Sequence, residues 1–182
     1  MKKKSSPGFT FIEMIIVVVI LSTVSAISIH FLVHSLKTYS MAVNQKTLLD
    51  EGKLALERMG REVRDARSIL FPPAGSSGDR LTLIRTHATA QDSGNEDITF
   101  QLAGNTLVKV KTQPAATSPM AANVFTFIVT REETSDEIKI ELALSLGSGE
   151  NVALQTKVYP KNLAESLWYK NYSASWQEEQ SS

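Results

Sequence analysis

Hydrophobic residues fall along this chain in three successive patterns. From Met14 to Leu36 they are nearly continuous, and the 23 residues hold no Asp, Glu, Lys or Arg. About 20 residues at 1.5 Å rise cross a bilayer core of about 30 Å, so the run can span one with some tilt. From Lys37 to Ser68 the apolar positions thin to a stripe. Leu49, Gly52, Leu56, Met59, Val63, Ala66 and Leu70 recur at spacings of three and four, the signature of an amphipathic helix. No proline interrupts this stretch until Phe71-Pro72-Pro73-Ala74-Gly75-Ser76-Ser77-Gly78, which stops the helix. Beyond it the period becomes two.

The period-two region reads as short strands. Leu81–Arg85 is one. Ile98, Phe100 and Leu102 alternate with Thr99 and Gln101, Ala103-Gly104-Asn105 turns, and Val108 and Val110 alternate with Lys109 and Lys111, which together make a hairpin. Thr86–Asp97 and the Pro- and Ala-rich Thr112–Ala122 read as loops. Phe125, Phe127 and Val129 are expected to share one face of the next strand. Ile138, Ile140, Leu142, Leu144 and Leu146 give the cleanest alternation, and Val152–Tyr159 a last strand ended by Pro160.

Five or six antiparallel strands with one apolar face need a cover, and the striped helix is the partner the chain supplies. The expected fold is α+β: a long N-terminal helix, with a transmembrane half and an amphipathic half, packed on an antiparallel β-sheet. If Phe9–Ser68 is one helix, its 60 residues extend about 90 Å. Gly52 lies on the stripe, where a missing side chain lets a strand or another helix come close. Glu57–Arg61, Arg58–Glu62 and Arg61–Asp65 are i,i+4 pairs on the expected solvated faces, worth about 0.2–0.5 kcal/mol each.

Composition narrows the function classes. The 19 basic and 19 acidic residues cancel, so no basic excess argues for nucleic-acid binding. There is no cysteine, which excludes structural disulfides and thiolate metal sites. Lys2, Lys3 and Lys4 flank the apolar run on its short side, which predicts a cytoplasmic N-terminus and a translocated C-terminal part.

Between these lysines and the run stands Gly8-Phe9-Thr10-Phe11-Ile12-Glu13. A carboxylate at the mouth of an apolar helix is costly, roughly 2.5–3.5 kcal/mol inside hydrocarbon, and so calls for a partner. A cleaved secretory signal would have an apolar core of about 7–15 residues, shorter than this one, although Ser25-Ala26 offers a weak cleavage site. A plain single-pass anchor would use Thr10-x-x-Glu13 as a capping box for the first turn. Such an anchor suits a receptor or binding module with an extracytoplasmic β domain, the alternative function class.

The whole constellation, however, resembles the type IV prepilin signature: short basic leader, Gly8-Phe9, Glu13 and a long apolar helix. One departure is Ser22, where many major pilins carry a helix-kinking proline, and Ile15 to Leu36 has no proline or glycine. The resemblance implies a type IV pilin-like fold and a membrane peptidase that cuts after Gly8 and methylates Phe9. Glu13 then matches the family's acidic fifth residue. Cleavage would create an amine on Phe9, able to pair with Glu13 of its own or a neighbouring helix and set packing register, since an unpaired buried charge is strongly penalised. Removing the leader leaves 16 basic (19 less Lys2, Lys3 and Lys4) against 19 acidic residues, a balance of −3. The helix segment Leu56–Ala66 and the strand pattern ending at Tyr159-Pro160-Lys161-Asn162 are also similar to minor pilins and the J-type pseudopilins of type II secretion.

The implied protein is a structural subunit in the bacterial inner membrane, N-terminus cytoplasmic and C-terminal domain periplasmic, and then in a pilus or pseudopilus. Its implied partners are the prepilin peptidase/methyltransferase and other pilins or pseudopilins; no cofactor and no nucleic acid is expected. The partition is a leader at 1–8, the transmembrane half of the helix at 9–36, its amphipathic half at 37–70, the β-sheet domain at 71–162 and an aromatic C-terminal tail at 163–182.

No residue pattern suggests catalysis. His30 and His34 sit four apart on one helix face, but a zinc site needs more ligands, so they read as interfacial histidines. Asp92, Glu96 and Asp97 could offer oxygens to Ca²⁺, yet a solvated acidic loop explains them better. His87 stands alone in a loop, and Ser148 lacks the strand–helix elbow of a nucleophile. Leu167, Trp168, Tyr169, Tyr172 and Trp176 make the tail apolar enough to cap the domain's own sheet edge or to meet a partner. The last residues, Gln177–Ser182, read as unstructured.

Overall fold

The computed structural model describes residues 8–85, 88 and 93–163. The chain divides after Val43 into two compact units, and one helix, α1 (Phe11–Arg64), contributes to both.

In the first unit every residue from Gly8 to Val43 is exposed. The helix there reaches a mean hydropathy of 2.5 over 18 residues, none of it buried within the protein. By length and composition it can cross a membrane. Two of its hydroxyls are satisfied internally: Ser22 Oγ donates to Val19 O and Thr23 Oγ1 to Ile20 O, each at 2.9 Å. Such back-bonding lets a polar side chain sit in an apolar helix without an orphaned donor.

The second unit begins at Asn44. Here α1 buries one face, made of Leu48, Gly52, Ala55, Leu56, Met59, Gly60 and Val63. Against it stand, among the described residues, nine strands in two antiparallel sheets. The first holds β1 (Ala66–Phe71), β3 (Arg80–Arg85), β4 (Asp97–Ala103), β5 (Thr106–Thr112) and β6 (Ala115–Ala121), in the order β1-β3-β4-β5-β6. The second holds β2 (Ser76–Gly78), β7 (Val124–Arg131), β8 (Ile138–Ser145) and β9 (Asn151–Val158), in the order β2-β7-β8-β9. Leu81, Leu83, Ile98 and Phe100 from one sheet join Phe127, Ile140, Leu142 and Leu144 from the other in a single core with the helix.

The expected α+β architecture is present, and several elements follow the pattern closely. The β4–β5 hairpin turns at Gly104-Asn105, with Gly104 at φ 62° and Ala103 opposite Thr106. β8 buries Ile138, Ile140, Leu142 and Leu144 on alternate positions. Gly52 is the expected point of close approach. A Cβ built there would lie 2.6 Å from Leu154 Cδ1 and 2.8 Å from Leu144 Cδ1, so β8 and β9 pack where the side chain is missing.

Five expectations are corrected. The helix ends at Arg64, and Ala66–Phe71, placed on the helical stripe through Leu70, is strand β1. The buried face starts from Leu48 rather than Leu49, which is 43% exposed. Ser76–Gly78, taken as helix-terminating loop, is the short β2 paired with Val129–Arg131. The Pro- and Ala-rich Thr112–Ala122 contains β6, whose pairing with β5 uses backbone groups and so needs little from side-chain propensity. Phe125 does not share a face with Phe127 and Val129. A bulge between Val124 and Thr126 turns it outward, leaving it 58% exposed.

The end of α1 is made by contacts distant in sequence. Lys161 N donates to Arg64 O at 3.0 Å, taking a carbonyl that a longer helix would have used internally. Beyond it, β1 pairs with β3, which secures its backbone better than continued helix.

Candidate functional site

Gly8, Phe9 and Thr10 precede α1 in non-helical backbone, and all three are exposed. A Cβ built on Gly8 would meet nothing within 4 Å among the described residues. Phe11 starts the helix because Thr10 caps it. The Glu13 amide lies 3.1 Å from Thr10 O and 3.4 Å from Thr10 Oγ1, and the Met14 amide donates to Thr10 O at 3.3 Å. These are groups a helix start otherwise leaves unsatisfied.

Glu13 stands in the first turn, where the helix dipole favours a carboxylate. Its side chain is exposed and has no hydrogen-bond or ion-pair partner among the described residues. Around it Phe11 is 83% exposed and Ile12 62%. The segment therefore presents an exposed Gly8-Phe9 step, a capped helix start and an uncommitted acid at the head of an apolar surface.

Residues 3–29 match the family described as the prokaryotic N-terminal methylation motif. The N-terminal segment of the chain is thus type IV prepilin-like. No curated protein and no solved structure matches it. Proteins bearing the motif are structural pilin subunits, processed by a prepilin peptidase and assembled with other pilins. The exposed apolar helix of this prepilin-like chain fits a membrane-anchored pilin.

Other candidate residues resolve into structural roles. His30 and His34 are neighbours, with ring centroids 4.4 Å apart. Among the described residues no group of three or more His, Asp or Glu could hold a metal ion. Glu96 is 2% exposed, and both carboxylate oxygens accept backbone amides: Ser93 N at 3.2 Å and Gln113 N at 2.9 Å. It ties the loop before β4 to the β5–β6 turn and has little left for a cation. Ser148 donates to Glu150, and that bond holds the Glu150 carboxyl below the usual range, with Asn44 adding a contact at 3.3 Å. His87, Asp92 and the tail residues Leu167, Trp168, Tyr169, Tyr172 and Trp176 lie outside the described residues.

Two charged clusters were not anticipated. Glu62 turns inward rather than to Arg58: Lys109 Nζ lies 2.8 Å from its Oε1 and Arg85 Nη1 3.4 Å from its Oε2. Arg85 also approaches Asp65 at 3.6 Å. These contacts stitch α1 to β3 and β5. Glu62 follows Met59 by three residues, beside the buried stripe, and that position was its only signal in the sequence. Of the expected helix pairs, Glu57–Arg61 forms at 2.9 Å on the solvated side.

The second cluster joins the start of β8 to the end of β9. Glu137 receives Lys157 Nζ at 2.6 Å and Tyr159 OH at 2.5 Å. These two bonds, Lys157 first, hold the Glu137 carboxyl below the ordinary range despite the cost of desolvation. The same carboxylate pushes the Lys157 ammonium and the Tyr159 phenol upward.

Proposed function

We propose that this chain is a minor pilin or pseudopilin, a structural subunit cut after Gly8, N-methylated on Phe9 and assembled through the apolar part of α1. The observation that carries the reading is the coincidence of the methylation motif at residues 3–29 with an exposed, Thr10-capped apolar helix. Glu13 is the register contact. It would pair with the Phe9 amine of its own or a neighbouring helix, and that amine exists only once residues 1–8 are removed. Charge pairing in a low-dielectric surrounding favours one alignment of helices, because any other strands a charge in lipid. Processing thus acts as the switch for assembly.

In this reading the N-terminus faces the cytoplasm and the β unit the periplasm, as Lys2–Lys4 on the short flank favour. The subunit takes a priming or tip position, and the machine is a type IV pilus or the pseudopilus of type II secretion, where the J-type pseudopilins would be its counterpart. A chain without cysteine suits that assignment.

Intact mass of the membrane-extracted protein tests the reading directly. Loss of Met1–Gly8 with gain of one methyl group supports it. A full-length N-terminus would instead assign the chain to the anchored receptors.

A further inference from the structure

Between Phe11 and Leu36 the sequence of α1 holds three side chains that titrate near neutrality or below: Glu13 at one end, His30 and His34 near the other. All three are exposed. The two imidazoles lie against each other, with centroids 4.4 Å apart and planes inclined by 45°, and neither ring has a hydrogen-bond or ion-pair partner among the described residues. A neutral imidazole carries one nitrogen that donates and one that accepts, and leaving them unmatched at an apolar contact is costly.

The two polar ends of the run are spaced regularly. His34 follows Glu13 by 21 residues (34 less 13), and His30 follows Phe9 by 21 (30 less 9). That distance is three heptads, so in the left-handed packing usual for transmembrane helices both pairs return to the same seam. Phe9–Glu13 and His30–His34 each span the four-residue step from a d-type to an a-type position. Ile20 and Ile27 continue the row from Glu13 to His34, and Ile16 and Thr23 the row from Phe9 to His30. Thr23 leaves no orphaned donor there, because its hydroxyl bonds Ile20 O in its own helix.

We propose that two copies of this chain bind one Zn²⁺ between them, through His30 and His34 of each. The proposal rests on the reading that α1 packs side by side with like helices. Two copies meeting along this seam in level register bring four imidazoles into adjacent layers, the number of ligands a closed tetrahedral zinc site takes. One chain supplies two, and no third ligand joins them among the described residues. Imidazole suits zinc, whereas Ca²⁺ and Mg²⁺ need oxygen ligands, and no Asp or Glu lies between Glu13 and Asp50. The nearest charge, Lys37, is an ammonium without a lone pair to offer. Zinc then fastens the far end of the seam, as Glu13 and the Phe9 amine set its near end.

The membrane-extracted full chain in mild detergent, titrated with Zn²⁺ against a chromophoric chelator, should saturate at one zinc per two chains. Zinc should also raise the yield of chemically cross-linked dimer, and chelation should reverse it. His30→Phe and His34→Phe should each lose both effects and keep the melting temperature of the β unit, since both side chains are exposed on α1. His87→Ala, which removes the chain's third histidine, should keep both effects. Saturation at one zinc per chain would overturn the proposal. So would the absence of binding, or binding that survives both phenylalanine substitutions. Intact mass of the same sample separates this result from the parent reading. A chain processed to Phe9 without zinc-dependent pairing refutes the metal site alone. Zinc-dependent pairing of a chain that still bears Met1–Gly8 supports the metal site and refutes processing.

Discussion

The two stretches of α1 obey opposite rules. From Phe11 to Val43 the helix exposes every residue, and an apolar side chain is acceptable at any position around it. From Asn44 to Arg64 the same backbone sorts its residues, with Met59 and Val63 fully buried and Arg61 in solvent. A helix apolar all round has to be surrounded by something apolar, whereas a striped helix needs only one covered face. In the first stretch position therefore matters little and composition matters greatly. In the second the reverse holds, and a one-residue change of phase, Leu48 for Leu49, decides what is core.

The sharpest break in that comparison lies at the head of the first stretch, where single positions should still be decisive. Gly8→Glu should leave essentially all protein as full-length precursor, seen as intact mass or a slower band on a gel. A Gly8→Glu chain that still matures would remove the peptidase assignment. Glu13→Ala should mature normally yet assemble poorly. Normal assembly of that variant would refute the register role.

In the second stretch and its sheets the effects become thermodynamic. Phe100→Ala removes a fully buried ring and should cost about 3–5 kcal/mol in denaturant unfolding of the β unit. Ile20→Ala, a larger-to-smaller change on the exposed apolar helix, should leave that same transition unchanged. Gly52→Leu should cost about 1–3 kcal/mol by overpacking against Leu144 and Leu154. Gly52→Ala should be much milder, because the clashing atoms are the tips of flexible side chains and alanine gains about 1 kcal/mol of helix propensity.

The smallest effect concerns Glu137. Its folded carboxyl titrates below the ordinary value of 4.5, so its contribution to stability is complete above that value and is lost as pH falls through the folded pKa. Lys157 and Tyr159 are shifted upward, so theirs is present at neutral pH and is lost only in strong alkali, above 10.5 and 10.0 respectively. Melting temperature against pH should fall more steeply below pH 4.5 for wild type than for Glu137→Gln. Parallel curves would show that the cluster contributes nothing.

Much of this architecture was legible in the residues, because it rests on local physics. An uncharged run of 23 residues has few alternatives to a membrane-length helix, alternation from Ile138 to Leu144 has few alternatives to a half-buried strand, and Thr10 ahead of Glu13 is a helix start by hydrogen-bond chemistry. The methylation motif at residues 3–29 was legible for the same reason, as it lies within one short stretch.

Tertiary structure decided what depends on partners remote in the chain. Nothing in Ala66–Phe71 forbids a helix; pairing with β3 and the bond from Lys161 to Arg64 make it a strand. β6 exists because β5 offers a free edge, which its Ala- and Pro-rich residues do not announce. Glu62 looks like one of several solvated acids until β3 and β5 bring Arg85 and Lys109 against it. In each case the deciding energy comes from a backbone or charge partner that folding brings near, a term that no reading of local period contains.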